Sequence, residues 1–205
     1  MDRELERRGH NFVRYADDCN VYVKSKRAGQ RVLDGLRACY AKLRLKVNES
    51  KTAVAAVWGR KFLGYCLWAT SEGQVKLAVA GEAVQRYKQR IRQMTRRQTG
   101  RSMNQLAQDL QAFLPGWKAY FQLAQTNRVW RGLDEWMRRR LRAVQLKFWR
   151  RGPTMFRELR ALGASRDLAA QIAGNARRWW YNSSYGLNRV LTIAHFDRLG
   201  VPRLC

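Results

Sequence analysis

Apolar positions change their spacing near residue 80. Before it they fall in short runs rich in Phe, Val and Tyr; after it they recur every three or four residues. Residues 11–15 and 20–24 read as two strands around the polar segment Ala16-Asp17-Asp18-Cys19, a hairpin pattern. Val32, Leu36, Cys39, Tyr40 and Leu43 predict a helix over 28–44. Residues 45–57 read as extended. Residues 61–68 and 74–79 read as a strand pair turning at Ser71-Glu72-Gly73.

The second half predicts helices. Val84, Tyr87, Ile91 and Met94 stripe a helix over 82–97, and Ser102-x-x-Gln105 is a capping box opening the next. Pro115-Gly116 should kink or break that helix, because proline lacks the N–H and crowds the preceding turn. A further helix should begin at Asp134-Glu135, carry Leu133, Met137, Leu141, Val144 and Phe148 inward, and end at Gly152-Pro153. Shorter helices follow over 154–162 and 165–173, then an irregular aromatic tail over 175–205. The class is therefore α+β, in three parts: 1–80, 81–152 and 153–205.

Charge changes this picture. The chain carries 41 Lys and Arg against 15 Asp and Glu, a formal net charge of +26. Such an excess repels itself unless a polyanion neutralises it, and nucleic acid is the default partner. Residues 82–160 hold 19 basic against 5 acidic residues, so the helical half is the better contact surface. Four scattered cysteines and two histidines offer no zinc spacing and point to free thiols in a reducing cytoplasm. No apolar run is long enough to span a bilayer, and the first ten residues lack the apolar stretch of a signal peptide, so no membrane partner is expected.

Asp17 and Asp18 are the chief candidates for chemistry. Adjacent carboxylates at a hairpin tip repel each other, an arrangement that a divalent cation would relieve; phosphoryl transfer by two metal ions needs such ligands. A solvated Asp-Asp turn is the bland alternative for the tetrapeptide alone. Three ordered segments go further. Tyr15-Ala16-Asp17-Asp18, then 45–52 with Lys51, then Lys61-Phe62-Leu63-Gly64-Tyr65 resemble the catalytic turn, nucleotide-side lysine and primer-grip hairpin of reverse transcriptases. Gly116-Trp117-x-x-Tyr120-Phe121, the stretch 133–142 and the ending 185–204 resemble the maturase-specific region and C-terminus of group II intron proteins without an endonuclease domain.

The resemblance implies an RNA-directed DNA polymerase (a nucleotidyltransferase of a mobile element) that also binds intron RNA for splicing and mobility. It implies a partial palm over 1–80, a helical thumb and maturase-specific part over 81–152, and an extension over 153–205. Asp17 and Asp18 would hold Mg²⁺ in the full-length context; Tyr15, Ala16 and Lys51 would lie on the nucleotide and primer side. Phe62, Leu63 and Gly64 would grip the primer. Arg90, Arg97, Arg138, Arg139 and Arg142 are the choices for RNA backbone contact, since a run of arginines without interleaved acids has no ion pairs to satisfy it. The family's third catalytic aspartate and its fingers are expected upstream of this sequence, so the chain alone is not expected to polymerise. Three readings stand: a remnant of a reverse transcriptase, which an N-terminal polymerase chain could complement; a non-enzymatic maturase acting on group II intron RNA; and a generic basic nucleic-acid-binding protein. In the first, RNA template and DNA primer are further partners.

Overall fold

The computed structural model describes residues 1–96 and 100–205, and these divide into two compact units, Met1–Val75 and Lys76–Cys205. In the first, helix α1 (Asp2–Arg7) precedes strands β1 (Asn11–Tyr15) and β2 (Asp18–Tyr22), which pair antiparallel with Tyr15 opposite Asp18. The turn is thus two residues tighter than the sequence reading, and Asp18 and Cys19 belong to β2. Helix α2 (Lys26–Lys42) starts at Ser25, whose side chain accepts from the Ala28 N–H, an ordinary N-cap. Gly29 lets a neighbouring segment approach: a Cβ there would lie 2.5 Å from Val54 Cγ1. Residues 45–57 form no strand. Turns through Asn48, which accepts from the Lys51 and Thr52 N–H groups, replace it.

The predicted 61–68 strand is two. β3 (Lys61–Phe62) and β4 (Tyr65–Ala69) pair antiparallel through Leu63-Gly64. Thr70 and Gln74 then close a turn before β5 (Val75–Val79). The core of this unit is thin. Leu5 and Val32 are its buried apolar side chains, whereas Tyr15, Leu43, Leu45 and Trp58 are each more than half exposed.

The second unit is a bundle. Helix α3 (Gly81–Met94) buries Ala83, Tyr87, Ile91 and Met94, spaced by four, four and three residues as an inward stripe requires. Helix α4 (Met103–Tyr120) opens on the predicted capping box, with both reciprocal bonds made by Ser102 and Gln105. It runs through Pro115 without breaking. Leu106, Leu110 and Leu114 are fully buried ahead of the proline, and Trp117 and Phe121 continue the packed face beyond it, so burial on both sides outweighs the one lost backbone bond. Trp117 is half-buried and packs on the core aromatics, 4.7 Å from Tyr87, 4.8 Å from Phe121 and 5.2 Å from Trp130 between ring centroids; Tyr120 is exposed.

Helix α5 (Asn127–Trp149) starts seven residues before the acidic pair that the sequence reading placed at its N-terminus. Asp134 is therefore mid-helix and buried. Gly152-Pro153 opens helix α6 (Gly152–Ala161) rather than closing α5, since proline suits a helix's first turn. Helix α7 (Arg166–Gly174), capped by Ser165, packs on α6. The tail is less irregular than expected: α8 (Trp179–Asn182), α9 (Leu187–Val190) and α10 (Ile193–Arg198) bury Leu187, Leu191 and Phe196 completely.

Candidate metal-binding turn and nucleic-acid interface

Strand pairing brings Tyr15, Ala16, Asp17 and Asp18 to one hairpin tip. All four are exposed, and among the described residues neither aspartate is held by an ion pair. Ala16 takes φ 53°, the left-handed region where a Cβ is unfavourable. The second hairpin repeats the device: Phe62 lies opposite Tyr65, and the two loop residues, Leu63 and Gly64, take φ 51° and 78°. Two positive φ values in a two-residue loop suit the strand twist. Leucine there costs on the order of 1 kcal/mol, strain of a kind that concentrates at functional positions. Ala16 and Leu63 belong to sequence motifs; Arg44 and Arg150, which also take positive φ, do not. Lys51 is exposed in the Asn48 turn, and Glu49 of that turn is held to α2 by Arg37 at 2.6 Å.

The turn fits a divalent cation in part. Asp17 and Asp18 are two hard oxygen donors in free solvent, the donor type that Mg²⁺ takes. Among the described residues no group of three or more His, Cys, Asp or Glu side chains is gathered. The two carboxylates are therefore a partial ligand set.

In the second unit, cations flank both sides of the buried α3 stripe; Arg86, Arg90 and Arg92 are exposed and Lys88 is half-buried. Arg86 and Arg90, four apart, lie on one flank; Lys88 and Arg92 lie on the other. Arg90 borders a depression of about 380 Å³ with Gln93, Met94, Arg101 and Phe113. Arg97 lies outside the described residues.

The arginine run on α5, chosen from sequence for RNA backbone contact, is drawn partly into the fold. Arg138 is 1% exposed. Its Nε donates to Asp134 at 2.8 Å, one helical turn back, and its Nη2 donates to Asp197 of α10 at 3.4 Å. Asp197 also accepts from Arg203, and Asp134 accepts from the Leu204 N–H at 3.3 Å. A side chain so enclosed cannot reach a phosphate in this structure: Arg138 is a core residue. Arg139 stacks on Trp180, its guanidinium carbon 4.0 Å from the ring centroid, and donates to the Trp180 carbonyl at 3.2 Å. Arg142 donates to the Leu191 carbonyl at 2.9 Å; burial, then Arg138's charge, pushes its pKa down to about 10, so it stays a cation at neutral pH. Arg139 and Arg142 are half-buried, and both anchor the tail.

Sequence reasoning missed a second feature. Trp136 is surrounded by Lys88, Arg92 and Arg140 at 5.8, 5.5 and 5.5 Å from its ring centroid. Its signal was present as Lys88/Arg92 and Trp136/Arg140, both four apart on helices.

The acid network makes a pH prediction. Arg203 first, and Arg138 with it, holds the Asp197 carboxyl below its ordinary value. A depressed folded pKa adds stability that is present above the ordinary Asp range, roughly pH 4, and disappears as the carboxyl is protonated below it. Arg203→Ala should raise the Asp197 pKa, measured by NMR titration, and move acid unfolding to higher pH. An unchanged acid limb would show that Arg203 contributes nothing there.

Comparison with known families agrees with these geometries. The family described as "Reverse transcriptase (RNA-dependent DNA polymerase)" matches residues 1–67, the segment holding the strained hairpins. The family described as "Group II intron, maturase-specific domain" matches residues 84–163, from α3 to just past α6. No curated protein matches the chain. Among the described residues no helix is long and apolar enough to cross a membrane. Two independent matches, in the order the motifs require, place this chain in the group II intron reverse transcriptase/maturase family.

Proposed function

We propose that the second unit binds group II intron RNA through the exposed cations of α3, as the maturase half of a protein that assists splicing and mobility. One observation carries this: Arg86, Arg90 and Arg92 are exposed on a helix inside the maturase-specific match, and none of them is engaged by a carboxylate among the described residues. Surface arginines left without acids are suited to phosphate, whose neutralisation releases counterions. Of the described residues chosen from sequence for RNA contact, Arg90 is the exposed candidate. Arg139 and Arg142 act on this reading by fixing the tail, with contact to RNA at their outer edges.

In the polymerase half, Asp17 and Asp18 are two of the carboxylates that would hold Mg²⁺ in an assembled centre. The ion would supply charge neutralisation and activation for nucleotidyl transfer. Tyr15 and Ala16 would shape the primer side of the turn, Lys51 would stand near the nucleotide phosphates, and Phe62, Leu63 and Gly64 would bear on the primer strand. A further polymerase segment, in the same protein or in a complementing chain, would supply the remaining ligand and pair with the open edges of β1 and β2. The thin core of the first unit supports this, because a two-stranded hairpin with so little buried apolar surface is marginal by itself.

The test is binding of the 205-residue chain to a group II intron RNA and to an unrelated structured RNA over a range of salt. Both should bind with steep salt dependence, and the intron RNA should keep a preference of ten-fold or more near 0.15 M salt, within the range of specific nucleic-acid recognition. Equal binding of the two would reduce the protein to a non-specific polyanion binder.

A further inference from the structure

The second unit contains a groove that the phosphate-contact picture does not use. It has a volume of about 480 Å³, within the roughly 300–1,000 Å³ of small-ligand sites. It is lined by Thr95 and Arg96, by Arg140 and Ala143 of α5, and by Trp179 and Trp180 of α8. Its chemistry is mixed, with two guanidiniums and two indoles in the lining.

These groups are set in place by the fold. Thr95 is 1% exposed; its hydroxyl donates to the Ile91 carbonyl at 2.6 Å and accepts from Arg140 Nε at 2.7 Å. Arg140 Nη2 also donates to the Thr95 carbonyl at 3.4 Å. Arg139, stacked on Trp180 and bonded to its carbonyl, fixes that indole from its own side. Trp179 stands edge-on to Trp180, with centroids 5.8 Å apart. A site whose side chains are already ordered loses less conformational entropy when a ligand arrives.

One charge of the groove, that of Arg140, has no anion beside it. Among the described residues no carboxylate bonds Arg140, and Lys88 and Arg92 converge with it on Trp136. Burial, followed by the charge of Arg92, pushes the Arg140 pKa down, which is how a cation without an anion behaves. An anionic ligand would remove that cost.

We propose that this groove binds one unstacked nucleotide of a single-stranded RNA segment, its phosphate on Arg140 and its base against the indoles of Trp179 and Trp180. The proposal rests on the RNA-binding reading and narrows it. A phosphate alone would make no use of the indoles. A duplex keeps its bases stacked and paired, whereas single-stranded and bulged nucleotides offer a face for aromatic stacking. The site is then a reader of irregular RNA structure, distinct from the exposed row on α3 that meets backbone.

Fluorescence anisotropy with the full chain tests it. The probes are a labelled oligouridylate of about ten nucleotides, an abasic oligomer of the same backbone, and an RNA duplex. Trp179→Leu should weaken oligouridylate binding roughly ten-fold, the scale of one lost base stack, and change duplex binding less than about two-fold. Trp179→Phe, which keeps an aromatic face, should restore most of the loss, a rescue that general damage to the fold would not show. The wild-type chain should prefer oligouridylate over the abasic oligomer by a similar factor. Equal affinity for those two, or an unaffected Trp179→Leu variant, would overturn the groove while salt-dependent duplex and intron binding left the RNA-binding reading intact. Failure of the wild-type chain to bind any of the RNAs would overturn both.

Discussion

Arg138→Ala should destabilise the second unit by about 3–5 kcal/mol, the usual consequence of removing one partner from a buried ion pair. The variant leaves Asp134 4% exposed, in a helix interior, with the Leu204 N–H as its surviving partner. It also takes a donor from Asp197 and empties a volume beside Phe196, whose ring centroid lies 6.0 Å from the Arg138 guanidinium. For a unit of this size the thermal midpoint should fall by roughly 10 °C or more. The charge cost can be separated from the packing cost. Arg138→Met combined with Asp134→Asn keeps an acceptor for Leu204 and removes both charges, so it should recover most of the loss; calorimetry of the two single variants and the pair would show a coupling well above 1 kcal/mol. A double variant no better than the sum of its parts would show that Arg138 and Asp134 are not coupled in stability.

The same network explains why the tail folds. Val201 and Leu204 are each 2% exposed, Gln111 of α4 donates to the Gly200 carbonyl at 2.8 Å, and Asp197 and Leu204 tie back to α5. Local pattern could not reveal this. The tail's helices are four to six residues long, too short to show a period, and the partners that order them lie about 60 to 90 positions away.

Other parts were legible for identifiable reasons. The Ser102 capping box and the α3 stripe are short-range patterns; the structure repeats the first and keeps Tyr87, Ile91 and Met94 of the second, with Ala83 buried in place of Val84. The hairpin around Asp17 was found, but the turn tightened by two residues, because the ladder continues to the Tyr15–Asp18 pair with Ala16 absorbing the positive φ. The start of α5 was misplaced because an acidic pair followed by arginines imitates a helix N-terminus. Asp134 in fact neutralises Arg138 one turn along the helix, so the acid that the arginine run was thought to lack lay inside the same segment. Burial decided the matter, and burial depends on which face of α5 meets α10, which a charge count does not contain. Among the RNA-contact choices, Arg90 stands on an exposed flank, while Arg138, Arg139 and Arg142 were drawn inward by the tail.

Replacing Arg86 and Arg90 together by glutamine should weaken binding to any structured RNA by roughly 30-fold near 0.15 M salt. The magnitude follows from counterion release: each phosphate contact contributes about 0.9 to the slope of log affinity against log salt, so it is worth roughly five-fold at that concentration. The slope itself should shrink by about 2. Both side chains are exposed, so the variant should melt within about 1–2 °C of wild type, as surface substitutions usually do. A matched control removes the same net charge elsewhere. Arg7 is paired with Glu4 at 2.9 Å and Arg37 with Glu49 at 2.6 Å, both in the first unit. Arg7→Gln with Arg37→Gln lowers the +26 by the same two charges, yet should cost less than about three-fold, because those guanidiniums already have carboxylate partners. Equal losses in the two double variants would mean that the field of the whole protein, not a surface on α3, governs RNA affinity. A loss confined to Arg86 and Arg90, of equal size with intron and unrelated RNA, would assign those residues to backbone positioning and send the search for intron specificity to the aromatic groove beside Arg140.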